Sequence, residues 1–429
     1  MNIAKWFAND TWQLNRNEWA VVVTAAASIG LATTTAWATP IATLVIMVVP
    51  ALLVALGQKR LPGLALPIWL IPIFVFVAYA ALSSLWGAGT YWSARALLPV
   101  AGIMLAASIA ASLFERLPGN LLTHLCRTIV VTFFVIACYS LFEETTNHAL
   151  KHVLFWPFQA VKFTDGSLLI DWDHQTRVRP SRTNWNMTVL LFLIWPVLLM
   201  LRGLVERFDY KLLGSILLIG LFAIILQSYH VAAMVALIAC VAAFGLTHIW
   251  PRVAIILVGM AWIFLFILPV PSAHQLHAHQ LHLDQQVPNS FRHRIVLWKY
   301  TATEIEKRPV LGVGVGSTHP LNERRLATAK LHPGTSYHDA TGTHPHNIYL
   351  QAIYELGVVG AVLMLLAGLS VLRAIHVYCS RVERPFFLAL FAAWASQSSF
   401  SFGLTEPWYL FALGLAMCCL MAARQLRSS

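Results

Sequence analysis

Charge is scarce in this chain. Asp, Glu, Lys and Arg make up 11% of its 429 residues, against roughly 25% in an average soluble protein. Acids are the rarer sign, 18 against 29 bases. With 58% apolar residues, 16 Trp and 23 Phe, there is too little polar surface for a water-soluble domain. The composition is that of a polytopic membrane protein. The formal charge of +11 raises nucleic acid as a partner. The bases, however, are spread over many short segments and form no continuous patch, so nucleic acid is excluded. Cysteine is also sparse. Cys126, Cys138, Cys240, Cys379, Cys418 and Cys419 all sit in apolar runs, which leaves no disulfide framework and no cysteine metal site. Internal repeats, low-complexity tracts and a soluble domain are missing too, so residues 1–429 read as a single membrane domain.

What the chain does have is apolar windows of about 20 residues, the length that spans a bilayer. Twelve are expected, near 17–36, 39–57, 64–86, 91–114, 120–142, 186–204, 211–227, 229–247, 252–270, 346–372, 385–402 and 406–424. Basic residues collect on alternate links: Lys59 and Arg60, Arg116, Arg202 to Lys211, Arg252, Arg373 to Arg384, and the Arg424–Arg427 tail. The positive-inside rule then places both termini in the cytoplasm. Two long segments, about 143–185 and 271–345, fall on the outer side. Ala36-Trp37-Ala38 resembles a signal-peptidase site, but the run before it has the length of a span, so a retained helix is expected.

The outer segments hold the chemistry-bearing side chains. The first opens with Thr146 to Phe158, either an interfacial amphipathic helix or a packed loop anchored by Trp156. It then carries Arg177, Arg179 and Arg182 within six residues. Guanidinium forks in such a cluster suit a phosphate or diphosphate. Asp171-Trp172-Asp173 spells a D-x-D that could hold a divalent cation, though the spacing is common by chance. The second segment begins with His274, His277, His279 and His282. Leucines interrupt them and other ligand types are missing nearby, so an interfacial stretch is the simpler reading. An amphipathic helix is expected from Ser290, with Phe291, Ile295, Trp298 and Ile305 on one face, ending at Arg308-Pro309. Arg294 and Trp298 are four apart and share a face. Gly312, Gly314 and Gly316 then make a turn that either cradles an anion or lets helices approach closely. The loop closes at His344-Pro345-His346, at the mouth of a span. His346 suits a general base, and Asn347 could orient its ring or a substrate hydroxyl. Gln351 and Glu355 continue that face, and Glu355 should be paired or line a polar cavity. Gly357 and Gly360 read as a small-residue packing notch.

The stretch His346-Asn347, nine residues, Gly357-Val358-Val359-Gly360 resembles the signature of the O-antigen ligase (WaaL-type, Wzy_C) family. Arg177 with Asn184-Trp185-Asn186, Arg294 to Trp298 and Leu311 to Gly314 resemble that family's upstream elements. Two departures stand out. Ser228-Tyr229-His230 occupies a place where the family often has Ser-Arg, and Pro180 a place where it often has Gly.

The resemblance implies a GT-C-like, all-α glycosyltransferase of the bacterial inner membrane with a periplasmic active site. The implied donor is an O-antigen polysaccharide on undecaprenyl diphosphate. The implied acceptor is a sugar hydroxyl of lipid A–core, with membrane lipids around both. The reaction would be metal-independent and inverting, with no cofactor. His346 would be the base. Arg177, Arg179 and Arg294 would hold the diphosphate, and Asn347 the acceptor or the base. Trp298, Gly312, Gly314, Gly357 and Gly360 would be structural. A protein O-oligosaccharyltransferase or an O-antigen polymerase would use the same donor. The first usually carries an extra region after its last span, where this chain has only Arg424 to Ser429. A transporter would need charges along several helices, and few are there.

Overall fold

The computed structural model describes residues 14–34, a few positions between 45 and 57, 68–114, 117–146, 149–150, 168–170, 176–178, 180–228, 230–326, 344–404 and 406–428. These residues make an all-α polytopic membrane protein. Every expected window except 39–57, which lies largely outside the described residues, coincides with a helix. Among the described residues, seven helices are by themselves long and apolar enough to cross a membrane. An eighth span is made if the bent pair Pro251–Ile267 and Pro269–Ala278 is counted as one.

The chain divides into two compact units. The first comprises Met1–Ala65, Met104–Ile238 and Phe411–Ser429. In it α1 (Arg16–Thr34), α4 (Gly119–Thr145), α5 (Pro180–Leu204) and α6 (Arg207–Gln227) pack on one another. α5 is apolar on all sides from Val189 to Leu201, apart from a proline, and is buried along that stretch, as an all-round apolar helix must be. The arginine-bearing first loop contributes a short antiparallel ribbon, β1 (Leu168–Ile170) on β2 (Thr176–Val178), with Leu169 opposite Arg177. No ribbon was expected from the sequence there.

The second unit comprises Leu66–Ile103 and Ala239–Leu410. Its centre is α12 (Ile348–Tyr378), packed against α2 (Ile71–Leu82), α8 (Pro251–Ile267), α10 (Asn289–Lys307), α11 (Thr318–Leu326) and α13 (Arg384–Gln397). α9 (Pro269–Ala278) turns away from α8 by 60° at Leu268-Pro269 and lies along α10. The remaining helices are α3 (Thr90–Phe114), α7 (Val231–Ile249) and α14 (Pro407–Ser428). α10 is the expected amphipathic helix. Ile295, Trp298 and Ile305 are buried, and Phe291 is half-buried.

α12 is not continuous. At Gly357 the backbone takes φ 67° and ψ −172°, a region open essentially to glycine alone. The break frees donors and acceptors that water cannot satisfy inside a bilayer, and the incoming loop takes them up. Val358 N–H donates to the Pro309 carbonyl (2.8 Å) and Val359 N–H to that of Val310 (3.4 Å). In return Val313 N–H donates to Tyr354 O (3.1 Å) and Gly314 N–H to Glu355 O (2.7 Å). The Tyr79 hydroxyl on α2 donates to Leu356 O (3.0 Å). A Cβ at Gly357 would lie 2.1 Å from Val310 O. Gly357 is therefore a kink that admits the incoming loop, where a packing notch was expected. Gly360 does pack closely, its Cα facing the Tyr79 ring.

Candidate functional site around His346

The turn before α12 is fixed from three sides. Asn347, extended at φ −152°, caps the helix by accepting from Leu350 N–H (2.9 Å). Trp298 on α10 donates its Nε1–H to Pro345 O (2.8 Å). Ile348 N–H donates to Ser398 O (2.9 Å), at the end of α13. Between these anchors His346 is held at φ +55°. That left-handed conformation costs a non-glycine residue about 1–3 kcal/mol and persists only where the surroundings over-determine it. Asn347→Ala removes the cap and is expected to cost about 1 kcal/mol. It also loosens the turn, so transfer should fall while the protein still unfolds cooperatively, which a melting curve run beside the assay would check.

The ring of His346 has a defined tautomer. Nδ1 lies 2.8 Å from the carbonyl oxygen of Ser401. A carbonyl can only accept, so Nδ1 carries the hydrogen and Nε2 keeps its lone pair. Burial pushes the pKa of His346 down to about 4, against the pull of the Ser401 carbonyl and with help from the positive charge of Arg294 and from His293. His344 stands beside it, ring centroids 4.3 Å apart and edge to face. Burial, then His346, Arg294 and His319, hold His344 well below the ordinary histidine value. Its Nε2 is 3.1 Å from Glu406 Oε1.

Arg294 reaches this pair from α10. It spends one N–H on Ser290 O (3.2 Å), and its buried Nε makes no hydrogen bond among the described residues. A guanidinium with donors to spare next to an unprotonated imidazole nitrogen suits an anion that must be held beside a base. Thus His346, Asn347, Trp298 and Arg294 come together in one unit. Arg177 lies in β2, in the other unit. Arg179, His338, Asp171 and Asp173 are outside the described residues, as are the side chains of Arg177 and Arg182.

The glycine turn is not an open cradle. Gly312, Gly314 and Gly316 all have positive φ. A Cβ on each would meet backbone at 2.5 Å or closer, on Glu355, Gly87 and Trp92 respectively. Their N–H groups are already used. Gly312 N–H donates to Arg308 O (3.2 Å) and Gly314 N–H to the backbone carbonyl of Glu355 (2.7 Å); only Gly316 N–H reaches the side chain of Glu355, which is fully buried on α12. Its carboxylate accepts from Gly316 N–H (2.9 Å), Thr318 N–H (3.2 Å), the Thr318 hydroxyl and Gln351 Nε2 (3.1 Å). Gln351 Oε1 in turn accepts from Leu404 N–H (2.8 Å). The Glu355 expectation, a paired carboxylate, is what the structure holds. Of the two readings of the glycines, close packing is the one seen. In the histidine-rich stretch, His274 sits between Lys299 Nζ (2.6 Å) and Glu306 (3.0 Å), and His277 stacks on His282. No group of three or more potential ligands that could hold a metal occurs among the described residues.

Sequence reasoning missed the Ser398–Glu406 connection, which supplies two carbonyls and a carboxylate to the site. The polar run Ser396-Gln397-Ser398-Ser399 ending an apolar helix was the available signal. A backbone acceptor such as Ser401 O has no residue signature.

Part of the chain is similar to known proteins. Residues 213–365 match the family model described as O-Antigen ligase (Wzy_C), a range that includes Arg294, His346 and Gly357. A protein of Rickettsia felis named "Putative polysaccharide ligase" is 26% identical over 121 residues, and one of the same description in Rickettsia prowazekii is 28% identical over 126. Each match covers 28% of this chain and 29% of the relative, so the chain spans less than a third of the length of those relatives. Over residues 213–365 this polytopic membrane chain is thus similar to the O-antigen ligase family.

Proposed function

We propose that the protein transfers a polysaccharide from undecaprenyl diphosphate to a sugar hydroxyl of lipid A–core. The observation that carries this reading is the free Nε2 of His346 beside the under-used guanidinium of Arg294. His346 takes the acceptor proton. The acceptor oxygen then attacks the anomeric carbon from the face opposite the diphosphate, so the anomeric configuration inverts. Arg294 receives the charge that grows on the departing diphosphate. The bond energy of the sugar diphosphate drives the step, and the chemistry calls for neither nucleotide nor metal. On this reading the fold is GT-C-like, in the bacterial inner membrane, with cytoplasmic termini and the His346 mouth in the periplasm, as the basic links support.

Purified protein, a polyprenyl-diphosphate glycan and lipid A–core in EDTA test it on a gel that resolves capped from uncapped lipopolysaccharide. Capping by wild type and none by His346→Ala is the expected result. Capping abolished by EDTA in the wild type would bring back Asp171 and Asp173 as metal ligands. Longer glycan without capping would make the protein a polymerase, and glycan on added pilin-like protein an oligosaccharyltransferase.

A further inference from the structure

We propose that His344 and Glu406 carry away the proton that His346 takes from the acceptor. The inference rests on the reading of His346 as the base. That base has an exit problem. Its Nδ1–H faces the Ser401 carbonyl, which cannot take up a proton, so the imidazolium must discharge from the same Nε2 that was protonated. His344 is the neighbour built to receive it. The residue is 7% exposed, its Nε2 faces Glu406 Oε1 at 3.1 Å, and its Nδ1 makes no hydrogen bond among the described residues. A buried polar group left unbonded in this way asks for a role. The ring is packed against that of His346. The missing side chain of Gly403 makes room for it, since a Cβ there would lie 2.7 Å from His344 Cδ2.

Four charged or titratable groups face His344: His346 on its own turn, Arg294 on α10, His319 on α11, and Glu406 before α14. Only Glu406 can end the relay as an acid. Its Oε1 lies 3.1 Å from His344 Nε2, while its Oε2 accepts from Trp408 Nε1 (2.7 Å), which keeps Oε1 turned to the histidine. Its side chain is 27% exposed and so touches solvent. The proton on His346 Nε2 passes to His344 Nδ1. The His344 Nε2–H bond breaks and its proton goes to the Glu406 carboxylate. Glu406, now a neutral acid, releases it to water, which leaves His344 with its hydrogen on Nδ1. The ring regains its first tautomer when Nδ1 gives that hydrogen to water and Nε2 takes one back from water through Glu406, an exchange with no net change in protons. One proton moves from the acceptor hydroxyl to solvent, and nothing is oxidised or reduced. The uphill charge on His344 is brief because Glu406 takes its proton in the same motion. Both residues are positioning groups that act through His346.

Glu406→Gln tests the relay in the full-length protein with the same glycan donor and lipid acceptor. Gln still accepts from Trp408, so the fold should hold, and a melting curve in detergent checks it. The expected result is a kcat about tenfold lower, at the weak end of acid–base effects, with KM unchanged for both substrates. Added imidazole should restore the rate by ferrying the proton, and the solvent deuterium isotope effect should grow. Glu406→Asp should recover much of the rate. Glu406→Gln with wild-type kcat and isotope effect overturns the relay. So does a loss that imidazole does not repair, whether or not the melting temperature falls with it. Failure of the underlying reading looks different: His346→Ala itself would then stay active.

Discussion

Gly357→Ala should leave little folded protein. The methyl group would sit 2.1 Å from Val310 O, and φ 67° with ψ −172° is closed to residues with a Cβ. The contact is with backbone, so no side chain can swing aside. Relief requires either expelling the 309–314 loop or straightening α12. Expulsion strands the N–H groups of Val358 and Val359, and straightening displaces Glu355 from its four hydrogen bonds. Both belong to the mechanisms that give losses above about 4 kcal/mol. Gly245→Ala on α7 is the control, because a Cβ there meets nothing within 4 Å and alanine is the better helix former. Thermal unfolding in detergent should show the first variant lost or melting far below wild type and the second unchanged or slightly improved. A Gly357→Ala protein that melts with wild type would mean that the break in α12 is not held as described.

His346→Gln should cost 10²–10⁴-fold in kcat/KM, roughly the value of a general base. Gln keeps a donor for Ser401 O but has no basic nitrogen, so the protein should melt normally. The pH profile carries more information than the loss. The base works neutral, and the rate falls as pH drops through its pKa. Because burial and Arg294 hold that pKa at about 4 in the free protein, kcat/KM should stay level well below pH 6.5, the usual histidine midpoint. A base that weak pulls poorly at neutral pH. On the proposed reading, the donor's diphosphate would remedy this by placing negative charge beside Arg294, which would offset the positive neighbours and raise His346 once the donor is bound. The acid limb of kcat should therefore lie at higher pH than that of kcat/KM, since the two report bound and free enzyme. Arg294→Gln should close the gap between the limbs while weakening donor binding. Coincident limbs in the wild type would mean that the donor charge does not reach His346.

Much of this site could be read from residue types. Asn347 before an apolar run is a helix cap wherever it occurs. A histidine just ahead of it has to stand at a helix mouth, and the spacing of Phe291, Ile295, Trp298 and Ile305 marks the buried face of α10. The role of Gly357 could not be read in the same way. Two glycines three apart serve a packing notch or a kink equally well, and the choice depends on the loop that arrives from residues 309–314. The glycine turn is the same case. An anion cradle and a close approach of backbones were equally open, and the structure holds the close approach, with only Gly316 N–H donating to the Glu355 side chain. Ser401 lay beyond reach because its contribution is a carbonyl that every residue possesses. The expected spans largely became helices because apolar length is a local property. Where α12 breaks and what fills the break are tertiary facts.

The exchange of hydrogen bonds across the α12 break also constrains how the protein is made. A nascent α12 entering the lipid alone would carry two bare amides at Val358 and Val359, each worth several kcal/mol in hydrocarbon. The carbonyls that cover them, Pro309 and Val310, leave the ribosome about fifty residues earlier. That loop is therefore already made when the helix arrives. Translation order thus puts the plug before the gap, and the lower half of α12 settles only by docking on a loop that has been delivered ahead of it. The same docking brings Thr318 and Gly316 to Glu355 and leaves His346 at the mouth, so membrane insertion of this helix and assembly of the reactive centre are one event.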